Sequence, residues 1–184
     1  MRLIDAVNVT LEALGESRAV DLNSQNPSVG LAKATIERTR RGTLSTGYWF
    51  NTITREVTPS TVQRITIPWK QVAIYGLDGK KYSERNGNLY DLVEQTQRFE
   101  NPVTLRVILD FDFEDLPEHV ALWIAYKAAA QVYANDLGTD ANYQVLEDQA
   151  RHYEALTLRE HLRNQRYSTT RASNAHNIRR GFRL

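Results

Sequence analysis

The stretch from Asp110 to Ala130 reads D-F-D-F-E-D-L-P-E-H-V-A-L-W-I-A-Y-K-A-A-A, and no other segment limits the fold so strongly. Val107, Leu109, Phe111 and Phe113 alternate with Ile108, Asp110, Asp112 and Glu114. That is the period of a strand with one buried face, and it puts the three carboxylates on the solvent side. Asp115 has N-cap chemistry and Glu118 stands where a capping box needs it. Pro117 falls in the first turn, where its missing N–H costs nothing. Val120 to Tyr126 then run as one apolar series. A helix apolar on all sides needs neighbours on several sides, from its own fold, from other subunits, or from both. The expected class is α+β.

At 184 residues the chain is one domain, or one helical domain with an inserted lobe. No apolar run approaches the ~20 residues of a membrane span, and Asp5 and Asn8 interrupt any leader-like stretch, so neither a membrane nor a secretion signal is expected. The absence of cysteine rules out disulfides, thiolate metal sites and a cysteine nucleophile.

Leu3, Ile4, Val7, Leu11 and Leu14 form a stripe at three-four spacing before Gly15, the pattern of a short first helix. Asn26 and Pro27 mark the start of a second, with Val29, Ala32, Ile36, Thr39 and Thr43 on one face to about Leu44. Gly47 ends it, and Tyr48, Trp49 and Phe50 follow as a core plug. Strands are expected from there to Phe113. Ile53, Val57, Val62, Ile65 and Ile67 flank a Pro59-Ser60 turn, and Val72 to Tyr75 stop at Gly76. Asn86-Gly87 makes a hairpin because both positions tolerate positive φ. The last strand runs from Val103 to Phe113. The third helix ends near Leu137-Gly138. Thr139 or Asp140 caps a fourth, whose face is Tyr143, Leu146, Ala150, Tyr153 and Thr157, reaching about Arg166. The resulting division is a helical bundle of 1–47 and 114–166, an antiparallel β lobe of 48–113, and an extended C-terminal docking tail of 167–184.

Enzyme signatures are missing. There is no phosphate-cradling glycine loop, no G-x-S-x-G and no H-E-x-x-H. His119, His152, His161 and His176 show no metal-ligand spacing. Asp110, Asp112, Glu114 and Asp115 resemble a glycosidase or divalent-cation cluster only in composition. The reading adopted is a solvent-facing acidic stripe that meets arginines of a neighbour. No catalytic residue, no metal ligand and no cofactor is assigned, and the chain is expected not to be an enzyme.

The net charge of +1 hides an asymmetry. From Arg159 onward there are seven arginines, at 159, 163, 166, 171, 179, 180 and 183, and one acid, Glu160. The remainder then carries 23 − 7 = 16 basic and 22 − 1 = 21 acidic residues, a body of −5 beside an end of +6. Arg159, Arg163 and Arg166 share one helix face. The tail adds Ile178, Phe182 and Leu184, apolar anchors that a purely phosphate-binding arm does not need. Docking into a protein groove fits that mixture, and nucleic-acid binding by the basic end is the alternative. Arg38, Arg40 and Arg41 hint at a helix-turn-helix, but the linker from Gly15 to Asn26 is too long for one.

In combination, N-x-x-L-x-x-L-G-E at Asn8–Glu16, G-Y-W-F-N at Gly47–Asn51, and D-L-P-E at Asp115–Glu118 with Trp123, Ile124, Lys127 and Ala128 resemble the tail tubular protein A family. Its members are gatekeepers or head-to-tail adaptors of short-tailed bacteriophages. The resemblance covers Leu3 to about Glu160. It implies a helical bundle bearing a β lobe, assembled in the host cytoplasm and residing in the virion tail. It further implies a 12-mer ring below the portal protein, with the tail nozzle (tubular protein B) attached and DNA passing through the channel without specific binding. On that footing Arg166, Arg171, Arg179, Arg180, Phe182 and Arg183 are expected to dock the portal. Asp110, Asp112, Glu114, Arg159 and Arg163 are expected to contact a neighbouring subunit or the nozzle.

Overall fold

A computed structural model describes residues 1–165. Four helices and five strands follow in the order α1 (Leu3–Ala13), α2 (Pro27–Leu44), β1 (Thr52–Val57), β2 (Gln71–Gly76), β3 (Tyr82–Arg85), β4 (Asn88–Asp91), β5 (Val103–Leu109), α3 (Glu118–Asp136) and α4 (Ala141–Asn164). The class is α+β.

The helix boundaries follow local chemistry. Asn26 caps α2, its side chain accepting from the Ser28 N–H, with Pro27 behind it. Asp140 caps α4 by accepting from the N–H groups of Asn142 and Tyr143. Gly15, Gly47 and Gly138 follow α1, α2 and α3 at positive φ, the left-handed conformation that turns a chain out of a helix. At Gly47 the requirement is also steric, since a Cβ there would stand 2.8 Å from Ile108 Cδ1.

The start of α3 departs from the expected capping box. Pro117 holds Leu116 extended (φ −76°, ψ 145°), so the helix cannot begin before the proline, and Pro117 itself takes the N-cap position. Asp115 therefore sits too far upstream to cap, in a short 3-10 turn over Phe113–Asp115. Glu118 accepts instead from the Met1 amine at 2.6 Å, and Glu114 from the Leu3 N–H at 3.0 Å. The two carboxylates thereby tie α1 to the start of α3.

The sheet order is β1-β5-β2, all antiparallel, with Ile53 opposite Val107 and Ile74 opposite the same residue on the other side. β3 and β4 form a separate hairpin through Asn86 (φ 53°) and Gly87 (φ 75°), the turn read from the sequence. Two expected strands are corrected. The segment carrying Ile65 and Ile67 is buried but irregular, joined to the hairpin by Leu89 N–H to Ile65 O and Ile67 N–H to Gly87 O. Pro68 has no N–H with which to continue a ladder. β5 stops at Leu109 rather than Phe113: the Asp110 N–H still reaches the Lys70 carbonyl in register with β2, and beyond it the chain leaves the sheet for the 3-10 turn over Phe113–Asp115.

Two cores result. One joins α1, α2 and α3 through Leu3, Val7, Leu11, Val29, Ile36, Phe113, Val120 and Ile124. The other fills the lobe with Ile65, Ile67, Tyr82, Leu89, Phe99, Leu105 and Val107. α3 packs against α1, α2 and α4, so the neighbours that its apolar surface demands come from its own chain. Among the described residues no helix is long and apolar enough to cross a membrane.

Candidate functional site

The expected acidic stripe divides once the chain turns at Leu109. Asp110 is corrected from solvent-facing to buried: its side chain is 2% exposed and its Oδ1 lies 2.6 Å from Arg40 Nη1. The Arg40 side chain is 4% exposed and also bonds Glu37 and the Phe111 carbonyl. Burial works against the Arg40 charge, but the hydrogen bonds to Asp110 and Glu37 outweigh it and raise its pKa. Arg40 is thus removed from the basic surface of α2, leaving Arg38 and Arg41 exposed there. Asp112 is exposed and 2.7 Å from Lys70, whose hydrogen bond lowers its pKa. Glu114 is exposed and anchored to the Leu3 N–H. The four acids that look alike in sequence hold four different positions.

The aromatic run after α2 makes the joint between bundle and lobe. Tyr48 stacks on Phe50 at 5.9 Å and meets Trp123 of α3 edge-on at 6.1 Å. Trp49 stacks on His119 of α3 at 5.8 Å, and its backbone N–H donates to His161 Nδ1 of α4 at 3.2 Å. Asn51, fully buried, accepts from the Tyr48 N–H and donates to the carbonyls of Leu44 and Leu109. One short motif therefore fixes the end of α2, the end of β5 and the last turn of α4. His161 lies four residues beyond Thr157 and continues the α4 stripe, a signal present in the sequence that periodicity alone could have extended. His119 carries no such signal.

Arg159 and Arg163 stand on the exposed side of α4, with Arg163 2.6 Å from Glu160. They are not brought together with Asp112 or Glu114 within one chain. Arg166, Arg171, Arg179, Arg180, Phe182 and Arg183 lie outside the described residues. Among the described residues no set of three or more His, Asp or Glu side chains gathers as a metal site.

A family model described as tail tubular protein matches residues 4–167. Tail tubular protein A of Klebsiella phage KP34 is 57% identical over 182 residues, which cover 98% of this chain and 97% of that protein.

Proposed function

Since the chain belongs to the tail tubular protein family and is a tail component of a virion, we propose that it is the head-to-tail connector. In this reading twelve copies ring the exit of the portal protein, the nozzle built of tubular protein B attaches below, and DNA passes through during genome ejection without specific binding. The observation that carries it is the match along almost the whole length of a tail tubular protein A, which leaves no bundle or lobe element unaccounted for.

The connector is structural rather than catalytic. Support comes from the acidic residues themselves: Asp110 is committed to Arg40, Asp112 to Lys70 and Glu114 to the α1 backbone. The lobe of 48–113 and the bundle of 1–47 and 114–166 divide the contacts between partners. Asp112, Glu114, Arg159 and Arg163 face a neighbouring subunit or the nozzle. The segment 167–184, with Arg166 before it, docks the portal through Arg171, Arg179, Arg180, Phe182 and Arg183. An acidic body suits a duct for DNA, since many phosphate contacts would retard passage.

The test is quantitative mass spectrometry of purified virions with a truncation at residue 166. A copy number equal to the portal subunit's, together with a truncated protein that keeps its circular dichroism but no longer binds portal, is the expected result. Absence from the particle would overturn the connector reading. Full portal binding by the truncated protein would overturn the docking role of the tail. Steep salt-dependent DNA affinity lost on the same truncation would favour the nucleic-acid alternative.

A further inference from the structure

α3 is covered by α1, α2 and α4 except along one stripe between α2 and α4, where Lys127 and Gln131 stand one turn apart and exposed. A groove of about 330 Å³ opens there, floored by Trp123 and Lys127 and walled by Arg38 and Gly42 of α2 and Glu154 of α4. The wall at Gly42 is low, since a Cβ built on it meets nothing within 4 Å. The Lys127 ammonium lies 5.4 Å over the Trp123 ring, and among the described residues neither Lys127 nor Arg38 forms an ion pair. Two cations thus outnumber the one carboxylate in a site with an aromatic floor.

Glu118 precedes Lys127 by nine residues, about two and a half helical turns, and so lies on the opposite side of α3. Asp112, Glu114, Asp115 and Glu118 form an exposed acidic ridge at that end of the helix, with Asp112 paired to Lys70 and Glu118 to the Met1 amine. The groove side of α3 is thus cationic and recessed, and Glu118, on the other side of the same helix, heads a run of exposed carboxylates. A two-fold contact would set groove against groove and cation against cation. A head-to-tail contact sets unlike charges together and repeats until it closes. We propose that the groove between α2 and α4 receives the Asp115–Glu118 ridge of the next copy. The inference rests on the ring reading and names the surfaces that would close that ring.

The test uses virions, in which the protein is at its working place. The chain has no cysteine, so Gly42→Cys with Asp115→Cys in one chain gives two defined, exposed thiols, one in the groove and one on the ridge. A short bis-maleimide is expected to produce a ladder of cross-linked multimers from the double variant, and monomer alone from either single variant. Virions that carry the double variant at the portal's copy number and give only monomer would overturn the groove contact while leaving the ring intact. Absence of the unmodified protein from virions would instead defeat the ring itself. A charge exchange tests the same contact independently. Lys127→Glu is expected to lower infectious yield by at least about tenfold, since it sets like charges together at the interface, and Asp115→Lys in the same chain restores it. Failure of the second change to restore yield would also overturn the proposal.

Discussion

Arg40 and Asp110 meet 2.6 Å apart with both side chains almost completely shielded from water, and the pair fastens α2 to the turn between β5 and α3. Seventy residues separate them in the chain. Replacing Asp110 by Asn leaves the buried Arg40 charge with only the partly exposed Glu37 carboxylate as an ionic partner, and the expected loss is about 3 kcal/mol of unfolding free energy. Replacing both, Arg40→Met with Asp110→Leu, costs much less, because no charge is left stranded. Urea unfolding of the two variants checks this. Equal losses would show that packing, not charge burial, dominates the site.

Asn51 makes a second prediction of a different kind. Its side chain satisfies one N–H and two carbonyls at the joint. Asn51→Ala strands the Tyr48 N–H and the Leu109 carbonyl, while the Leu44 carbonyl keeps its bond from the Gly47 N–H, and the change is expected to cost about 3 kcal/mol, since each buried polar group left unpaired is penalised separately. Asn51→Asp retains the acceptor for Tyr48 but turns a carboxylate oxygen toward the Leu44 and Leu109 carbonyls. The folded state then favours the protonated acid and raises its pKa, so this variant regains stability as pH falls through that raised value. Unfolding midpoints at pH 7 and at roughly pH 4.5, near the ordinary carboxylate range, distinguish the two effects. A pH-independent deficit would exclude the carboxylate–carbonyl clash.

These two sites also show what a sequence carries and what it withholds. The caps of α2 and α4, the Asn86-Gly87 turn and the glycine stops are legible because each depends on residues within a few positions. The fold class and the resemblance to tail tubular proteins are legible for the same reason, through local motifs in order. Strand alternation fails at Ile108 and Asp110, both buried on the face expected to meet solvent, because Ile108 lies against Gly47 and Asp110 finds its partner seventy residues away, and periodicity holds no information about contacts at that distance. The capping box at Asp115 fails because Pro117 constrains its predecessor more strongly than the cap could reward an earlier start. The stacking of His119 on Trp49 and the His161 bond arise only when α3 and α4 fold back on the joint.

Asp140 predicts an acid response in α4. Hydrogen bonds from the Tyr143 N–H, then the Tyr133 hydroxyl and the Asn142 N–H, hold its pKa below the ordinary aspartate value. A lowered folded-state pKa means that the contribution is full above the unfolded value, about 3.9, and is lost as pH falls through the folded value. Helicity of α4 and its packing on α3 should therefore weaken only in strong acid. Asp140→Asn keeps an N-cap acceptor and removes the titration. The amide signals of Asn142 and Tyr143, followed by NMR from about pH 6 down to about pH 2, are expected to shift in the native chain and stay fixed in the variant. Titrating amides in Asp140→Asn would assign the effect to another carboxylate.

The exposed charges left after Asp110 is set aside lead to the last prediction. Asp112 is 67% exposed in its side chain and pairs with Lys70 across the surface, where water screens the attraction and the pair adds little to the fold. Arg163 is 70% exposed and pairs with its own neighbour Glu160. Asp112→Lys and Arg163→Glu should therefore leave the unfolding midpoint of the isolated chain nearly unchanged. If these side chains face a neighbouring subunit or the nozzle, each reversal places like charges across an interface and weakens assembly with purified portal and nozzle protein. Salt decides whether that effect is electrostatic. The screening length is roughly 30 Å at 0.01 M and about 3 Å at 1 M ionic strength, so the defect should be largest in dilute buffer and shrink as salt is added. Sedimentation of the assembled complex at both ends of that range measures it. A defect equal at low and high salt would mean that the substitutions disturb shape rather than charge. No defect at either would place both residues outside the assembly contacts.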